Sequence, residues 1–308
     1  MVGEHDMTKI EWCDETINPL QDKIKGASGR GYHCTKVSPG CTHCYAEGIN
    51  RRFGNGLPFD SRKAEFELIQ SEIEKPMRWK KPKRIFVQSM GDLFHEDVPQ
   101  KTIAGIMLMI AGFDSDAMVR KLNNWPEHQF IILTKRPKRM FDFFTSFKFQ
   151  SGYSLSDTVL SNLCVGVTCE NQEQADKRIP LLLQIQAAVY LVSHEPALGD
   201  ITYPPEFMAL GNRAWLINGG ESGAGARPMH PDIPRHDRDQ CQGAGMPYFF
   251  KQWGEWLPNN QFSHSDILTN LPGKADAHHW TLGETSFRVG KKSAGRLLDG
   301  KEWSEFPK

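Results

Sequence analysis

Long apolar runs are missing from the 308 residues: nothing approaches the roughly 20 hydrophobic positions that a membrane helix needs. The opening stretch MVGEHDMTKIEW is too polar for a secretory signal, so a cytoplasmic location and no membrane partner are expected. Net charge is missing too. Lys plus Arg number 37 and Asp plus Glu number 37, so the chain has no long-range field to draw it to nucleic acid or an anionic surface. Neither a repeat of solenoid period nor a low-complexity tract occurs, which excludes repeat arrays and compositional disorder. The seven cysteines are an odd count without the spacing of a disulfide framework. In a reducing compartment that points to metal binding or reactive thiols.

What the chain does have is 39% hydrophobic residues, enough for a sizeable core, broken into short pieces. RIFVQSM, FIILTKRP, LCVGVTCEN, VYLVSHEPALG, WLINGGESG and YFFKQWGEW are apolar runs that end in polar or glycine residues, as buried strands do. Between them lie TIAGIMLMIAGF, KRMFDFFTSF, QEQADKRIPLLLQI and PDIPRHDRDQCQGAG, long enough for crossover helices, the last with the faintest pattern. AEFELIQSEIEKPMRW reads as one amphipathic helix ended by the prolines that follow it. The alternation predicts an α/β fold with a parallel sheet, a barrel or a partial (β/α) barrel of about six strands, over residues 1–256. Residues 257–308 lose the alternation and are expected to form a small C-terminal extension, a loop followed by a hairpin around GKKSA.

Sites in such folds are built where strands end. That rule singles out SMGD (89–92), TKR (134–136), CEN (169–171), HEP (194–196), GGES (219–222) and KQWGE (251–255), which are expected to face one cavity. His194 and Glu195 are neighbours on a strand, so they point to opposite faces and only one can enter the site. Lys251 sits in a run too apolar to hold an unpaired ammonium and calls for a carboxylate, Glu221 or Glu195. Cys164 reads as a small buried residue, Cys169 as nearer the polar end of its strand, and Trp253 and Trp256 as packing for the tail. RWKKPKR (78–84) and TKRPKR (134–139) are basic, but as connections next to helices and strands they read as solvated charge.

The densest chemistry is CTKVSPGCTHCY, where Cys34, Cys41 and Cys44 fall within eleven residues. Three thiolates suit a soft or borderline metal. With a fourth ligand from Cys13, His33 or His43 they make a structural zinc site, the mark of a nucleic-acid-associated protein; without one they can hold a 4Fe–4S cluster with one iron open.

Three close cysteines ahead of a (β/α) succession resemble the radical S-adenosylmethionine superfamily, whose usual motif is C-x3-C-x2-C after the first strand of a partial barrel. KIEW, CTKVSPGC with CYAE, SMGDLFHEDVP, LTKRP, GVTCENQ, SHEPALG, NGGESGAGARPM, YFFKQWG and VGKKSAGRLLDGKEWSEFP together resemble, over nearly the whole chain, a narrower family. It comprises uncharacterised phage and bacterial proteins with a three-cysteine motif, regarded as radical-SAM-like. The first gap here is six residues, preceded by the insertion-like LQDKIKGASGRGYH; Ser38, Pro39 and Gly40 can turn the longer loop back.

The resemblance implies an enzyme that binds a 4Fe–4S cluster on Cys34, Cys41 and Cys44 and S-adenosylmethionine on the open iron. Reduction by an electron donor protein would cleave the cofactor to a 5′-deoxyadenosyl radical. It implies that Ser89, Met90, Gly91 and Asp92, at the end of the second strand, contact the methionyl amino group in place of the superfamily's Gly-Gly-Glu. Thr134, Lys135 and Arg136 would then meet the cofactor, Lys135 or Arg136 supplying the cation for its carboxylate. A literal Gly219-Gly220-Glu221 ends the sixth strand, too late in the chain to match by order. Glu195, Glu221 and Lys251 remain as candidate catalytic side chains, and a nucleotide or nucleic-acid component is admitted as substrate.

Overall fold

The computed structural model describes residues 10–23, 31–114, 117–121, 127–148, 154–157, 159–262, 276–281 and 283–308. Most of the opening MVGEHDMTKIEW, the middle of LQDKIKGASGRGYH and residues 263–275 of the expected C-terminal extension lie outside the described residues.

In chain order the first part holds β1 (Glu15–Ile17), β2 (Leu20–Asp22), α1 (Tyr45–Phe53), β3 (Phe66–Leu68), α2 (Gln70–Ile73), α3 (Lys75–Arg78) and β4 (Arg84–Val87). Then come α4 (Gln100–Ile110), β5 (Phe113–Asp114), β6 (Ala117–Lys121), β7 (Gln129–Thr134), α5 (Pro137–Ser146), β8 (Leu163–Thr168), α6 (Gln172–Leu182) and β9 (Val189–His194). The last part runs through α7 (Pro205–Met208), β10 (Ala214–Gly219), α8 (Asp232–Ala244), β11 (Tyr248–Gln252), β12 (Trp256–Pro258), β13 (Ala277–His279) and β14 (Thr285–Arg288). The fold is mixed α/β, with a partial-barrel sheet of seven parallel strands in the order β1-β4-β7-β8-β9-β10-β11. All six residues of β8 and all six of β10 are buried, which is why each reads as an unbroken apolar run and not an alternation.

The chain divides into two compact units, Met1–Val37 with Ala46–Val167 and Pro180–Tyr190, and Ser38–Tyr45 with Thr168–Ile179 and Leu191–Lys308. In the first, β1, β4, β7 and β8 pair in parallel register, Phe86 lying opposite Ile131 and Ile131 opposite Cys164. Helices α4 and α5 bury Ile103, Ile106, Met107, Met140, Phe143 and Phe144. In the second, β10 pairs with β11 and α8 buries Ile233, Asp237 and Cys241, spaced four apart along one face. That face explains why so polar a segment is a helix, the longest among the described residues.

The tail completes this second unit. Trp303 and Glu305 exchange backbone bonds with Phe250 and Tyr248 at 3.0 and 3.1 Å, so the chain end covers the outer edge of β11. Trp253, fully buried, donates its indole N–H to Leu297 O of the tail at 2.8 Å.

The seven strands agree with the partial barrel of about six that was expected, the additional one being β1, which pairs with β4 although only three residues long. Two other expectations need correction. AEFELIQSEIEKPMRW is not one helix: Phe66–Leu68 pairs antiparallel with β2, and α2 and α3 meet at Glu74, where Pro76 enters the first turn of the second helix. GKKSA is not a hairpin turn but a short helix, Lys291–Ala294, set between Gly290 and Gly295. The strand β14 instead pairs with β12 and β13 in a three-stranded sheet. Among the described residues, no helix is long and apolar enough to cross a membrane.

Gly220 shows how tightly the end of β10 is packed: a Cβ there would lie 2.0 Å from Trp253 O, a backbone atom that cannot move aside alone. We expect Gly220→Ala to lower unfolding free energy by about 3 kcal/mol. Gly243→Ala, on an open face of α8, should be neutral or stabilising by up to about 1 kcal/mol. Urea titrations of the two variants test the contrast.

Candidate functional site

In the first unit the ends of β4 and β7 build one polar constellation. Beyond β4 the chain turns at Gln88, whose φ is +65° and whose side-chain amide bridges Leu20 N and O. Ser89 Oγ and Met90 N both donate to Asn18 Oδ1. Gly91 lies against the backbone of His33, where a Cβ would come within 3.1 Å of His33 O. Asp92 is buried and accepts four hydrogen bonds, from Phe94 N, Thr134 Oγ1, Lys135 N and Arg136 Nη1, at 2.9, 2.7, 3.0 and 3.1 Å. Burial works against its charge, but the Arg136 guanidinium and these donors outweigh it and hold the pKa below the ordinary value.

Arg136 is the hub. Its Nε meets both oxygens of Glu96 at 2.8 and 2.9 Å, Nη1 points at Cys34 Sγ at 3.6 Å, and Nη2 donates to Thr35 O and Oγ1 at 3.1 and 2.5 Å. Of the two cations proposed for a cofactor carboxylate, Arg136 is therefore occupied within the protein. Lys135 is half-buried, and its ammonium has no carboxylate partner among the described residues. The basic stretches behave as solvated connections: Lys83 pairs with Glu15 and lies over Trp79, Arg84 pairs with Asp14, and Lys138 pairs with Asp142.

In the second unit, the turn Pro39–Cys41 is held from two sides. Glu170, fully buried just beyond β8, accepts Gly40 N–H at 2.9 Å and is itself paired with buried Arg178 at 2.9 Å. A Cβ on Gly40 would crowd this carboxylate at 3.1 Å and Pro196 at 3.3 Å. Arg227, clamped by Glu221 through its side chain and backbone, donates to Pro39 O at 3.1 Å. Glu221 is thus committed to Arg227, and Glu195 to Lys251 at 2.8 Å, one of the two partners foreseen for that lysine. His194 turns the other way, as the strand period requires, into a fully buried network with Asp237 at 2.8 Å and Gly199 O at 3.1 Å. The glycines before Glu221 have a packing reason: a Cβ on Gly219 would strike Glu195 Oε1 at 2.8 Å.

Among the described residues, none of the seven cysteines is in a disulfide, and exposure separates them. Cys34, Cys41 and Cys44 are partly exposed; Cys13, Cys164, Cys169 and Cys241 are buried. Burial pushes the Cys164 and Cys241 thiols well above their ordinary pKa, so they behave as small apolar groups. Cys169, expected nearer a cavity, is fully buried with its Sγ 3.8 Å from Gln174 O.

Among the described residues, none of the three candidates for a fourth zinc ligand joins a group of metal-ligating side chains. Cys13 Sγ lies 3.8 Å from Ile10 O, and His43 lies over Gly225. His33 is buried among aromatic rings, and among the described residues neither ring nitrogen has a hydrogen-bond partner. Elsewhere, His230, Asp232 and Glu284 bring donor atoms within 4.8 Å of one another. Asp232 there already pairs with Arg235 and begins α8, whose positive end disfavours a cation.

Sequence reasoning placed Glu170 in the strand-end group CEN without naming its partners, and gave no role to Arg178, Arg227 or Glu96. Glu170 had a signal, a carboxylate directly after a wholly apolar strand, with an arginine two helical turns on. The other contacts join residues too far apart in the chain to be paired by spacing.

The fold and these strand ends define a class: an α/β partial-barrel protein that carries a three-cysteine segment backed by buried ion pairs. A family model described as a protein of unknown function, DUF5131, matches residues 7–307, and the chain belongs to that family. No curated protein and no solved structure matches it.

His95 gives the first constellation a pH signature. It is buried beside Thr35, and burial, followed by the nearby Arg136 charge, lowers its pKa to about 4. The unfolded chain titrates near 6.5 and so binds more protons between these values; stability is full above about 6.5 and falls as pH drops toward about 4. Over that window we expect the wild type to lose about 3 kcal/mol more than His95→Asn, measured by urea unfolding at several pH values.

Proposed function

We propose that the protein is an iron–sulfur, S-adenosylmethionine-dependent radical enzyme of the cytoplasm, with Cys34, Cys41 and Cys44 as the ligands of a 4Fe–4S cluster. The observation that carries this reading is that these three thiols, alone among the seven, are partly exposed, while the other four are sealed in the core. The donor set fits the group: three thiols suit a cluster with one iron open to a cofactor, and the guanidinium aimed at Cys34 favours a thiolate there. When bound, such a cluster would supply the electron for reductive cleavage of the cofactor's sulfonium C–S bond.

The chain's own residues would bind and orient. Lys135, with an ammonium unpaired among the described residues, is the cation for the methionyl carboxylate. Asp92 fixes the β7 end, through Thr134 and the Lys135 backbone, and so places that lysine. Glu170 and Arg227 hold the turn that presents Cys41. The Glu195–Lys251 pair is the acid–base couple best placed to act on substrate, since neither side chain is fully buried.

Anaerobic purification or reconstitution should give a brown protein with about four irons per chain. Cys41→Ala should lose colour and iron together. A colourless protein with one tightly held zinc would overturn the reading in favour of a structural zinc site. In the loaded protein, Lys135→Met should keep its iron yet bind S-adenosylmethionine about ten- to a hundredfold more weakly, the worth of one charged hydrogen bond. Equilibrium dialysis with labelled cofactor gives that number.

A further inference from the structure

We infer that Arg136 and Glu96 together set the reduction potential of the cluster that Cys34 helps to hold. The inference rests on the reading of the three cysteines as cluster ligands.

Arg136 is nearly fully buried and reaches Cys34 and Thr35. Its Nη1 is 3.6 Å from Cys34 Sγ, and Nη2 fixes Thr35 by two bonds, so the guanidinium plane is locked in place beside that sulfur. An N–H donor and a positive charge at a ligand sulfur both favour the cluster state with more negative charge, and that is the reduced one. The redox step is simple: the oxidised cluster takes one electron from an external one-electron reductant, and no bond is made or broken.

Two carboxylates offset that charge. Asp92 is buried at 3.1 Å and cannot be altered without disturbing the β7 end. Glu96 is different: its side chain is 63% exposed, yet it reaches Arg136 Nε at 2.8 Å. It is a negative charge at Nε, whereas the sulfur meets Nη1, and among the described residues its other close charged approach is to His95 at 3.9 Å. Removing it leaves the fold intact and unmasks the Arg136 charge toward Cys34. Removing the arginine does the reverse. The two changes therefore move the potential in opposite directions, which a general loosening of the site would not do.

The test uses the full chain, reconstituted anaerobically with iron and sulfide, as wild type, Glu96→Gln, Arg136→Lys and Arg136→Met. Each is assayed for iron and then titrated with dithionite in the presence of mediators, the reduced cluster being followed by electron paramagnetic resonance. Glu96→Gln should raise the midpoint potential and Arg136→Met should lower it, each by about a tenfold change in the reduced-to-oxidised ratio at fixed potential, about 59 mV for one electron. Arg136→Lys keeps the charge but loses the fork, and should fall between wild type and Arg136→Met. Should Arg136→Met fail to assemble a cluster, Glu96→Gln and Arg136→Lys carry the test by their opposite signs. Equal iron with unchanged potentials, or shifts of one sign in both, would overturn the inference and leave the cluster assignment standing. A wild-type protein that takes up no iron–sulfur cluster would sink both.

Discussion

Arg136 is a charged group that burial would make intolerable alone, and the first unit is arranged around satisfying it. A guanidinium removed from water must find anions and acceptors for its donors, and here Asp92, Glu96, Thr35 and Cys34 supply them. Satisfying one buried arginine thereby ties the end of β4 to the end of β7 and both to the residues around Cys34. Asp92 serves twice, since its oxygens also take Thr134, the Lys135 amide and the Phe94 amide. Breaking such a pair by removing one partner leaves a buried charge uncompensated, at a cost of about 3–5 kcal/mol.

The second unit uses the same device on backbone instead of sulfur. Glu170 is held by Arg178 and spends its other oxygen on Gly40 N–H; Arg227 is held by Glu221 and reaches Pro39 O. A three-residue turn has few internal bonds to fix it, so its conformation is set by what receives its amide and carbonyl. Each partner is immobilised by an opposite charge, Glu170 just past β8 by Arg178 and Arg227 by Glu221 just past β10. Glycines at 40, 219 and 220 follow from the same closeness, because each lies where a Cβ would strike a carboxylate or a main-chain carbonyl.

This arrangement recasts the strand-end carboxylates. They do not stand as a set of bare acids awaiting substrate. Glu170 and Glu221 position the cysteine turn, Asp92 positions Arg136 and Lys135, and Glu195 pairs with Lys251. Net charge near zero is consistent with such pairing: many of the buried charges exist to fix one another and not to create a field.

The sequence by itself determined the parts that depend on local pattern. Unbroken apolar runs marked the buried parallel strands from β4 to β11, because a strand covered on both faces has no polar side to alternate. The two-residue period put His194 and Glu195 on opposite faces, and desolvation cost required a carboxylate for Lys251. Spacing alone set Cys34, Cys41 and Cys44 apart from the four other cysteines. Tertiary structure decided whatever depends on which distant residues meet. Phe66–Leu68 is a strand because β2 lies beside it, β1 counts as a strand through its pairing with β4, and Gly290 and Gly295 bound a helix where a hairpin turn was expected. Between Lys135 and Arg136, adjacent and alike in charge, only the approach of Asp92, Glu96 and Cys34 from elsewhere in the chain chose the arginine for the interior and left the lysine half-buried.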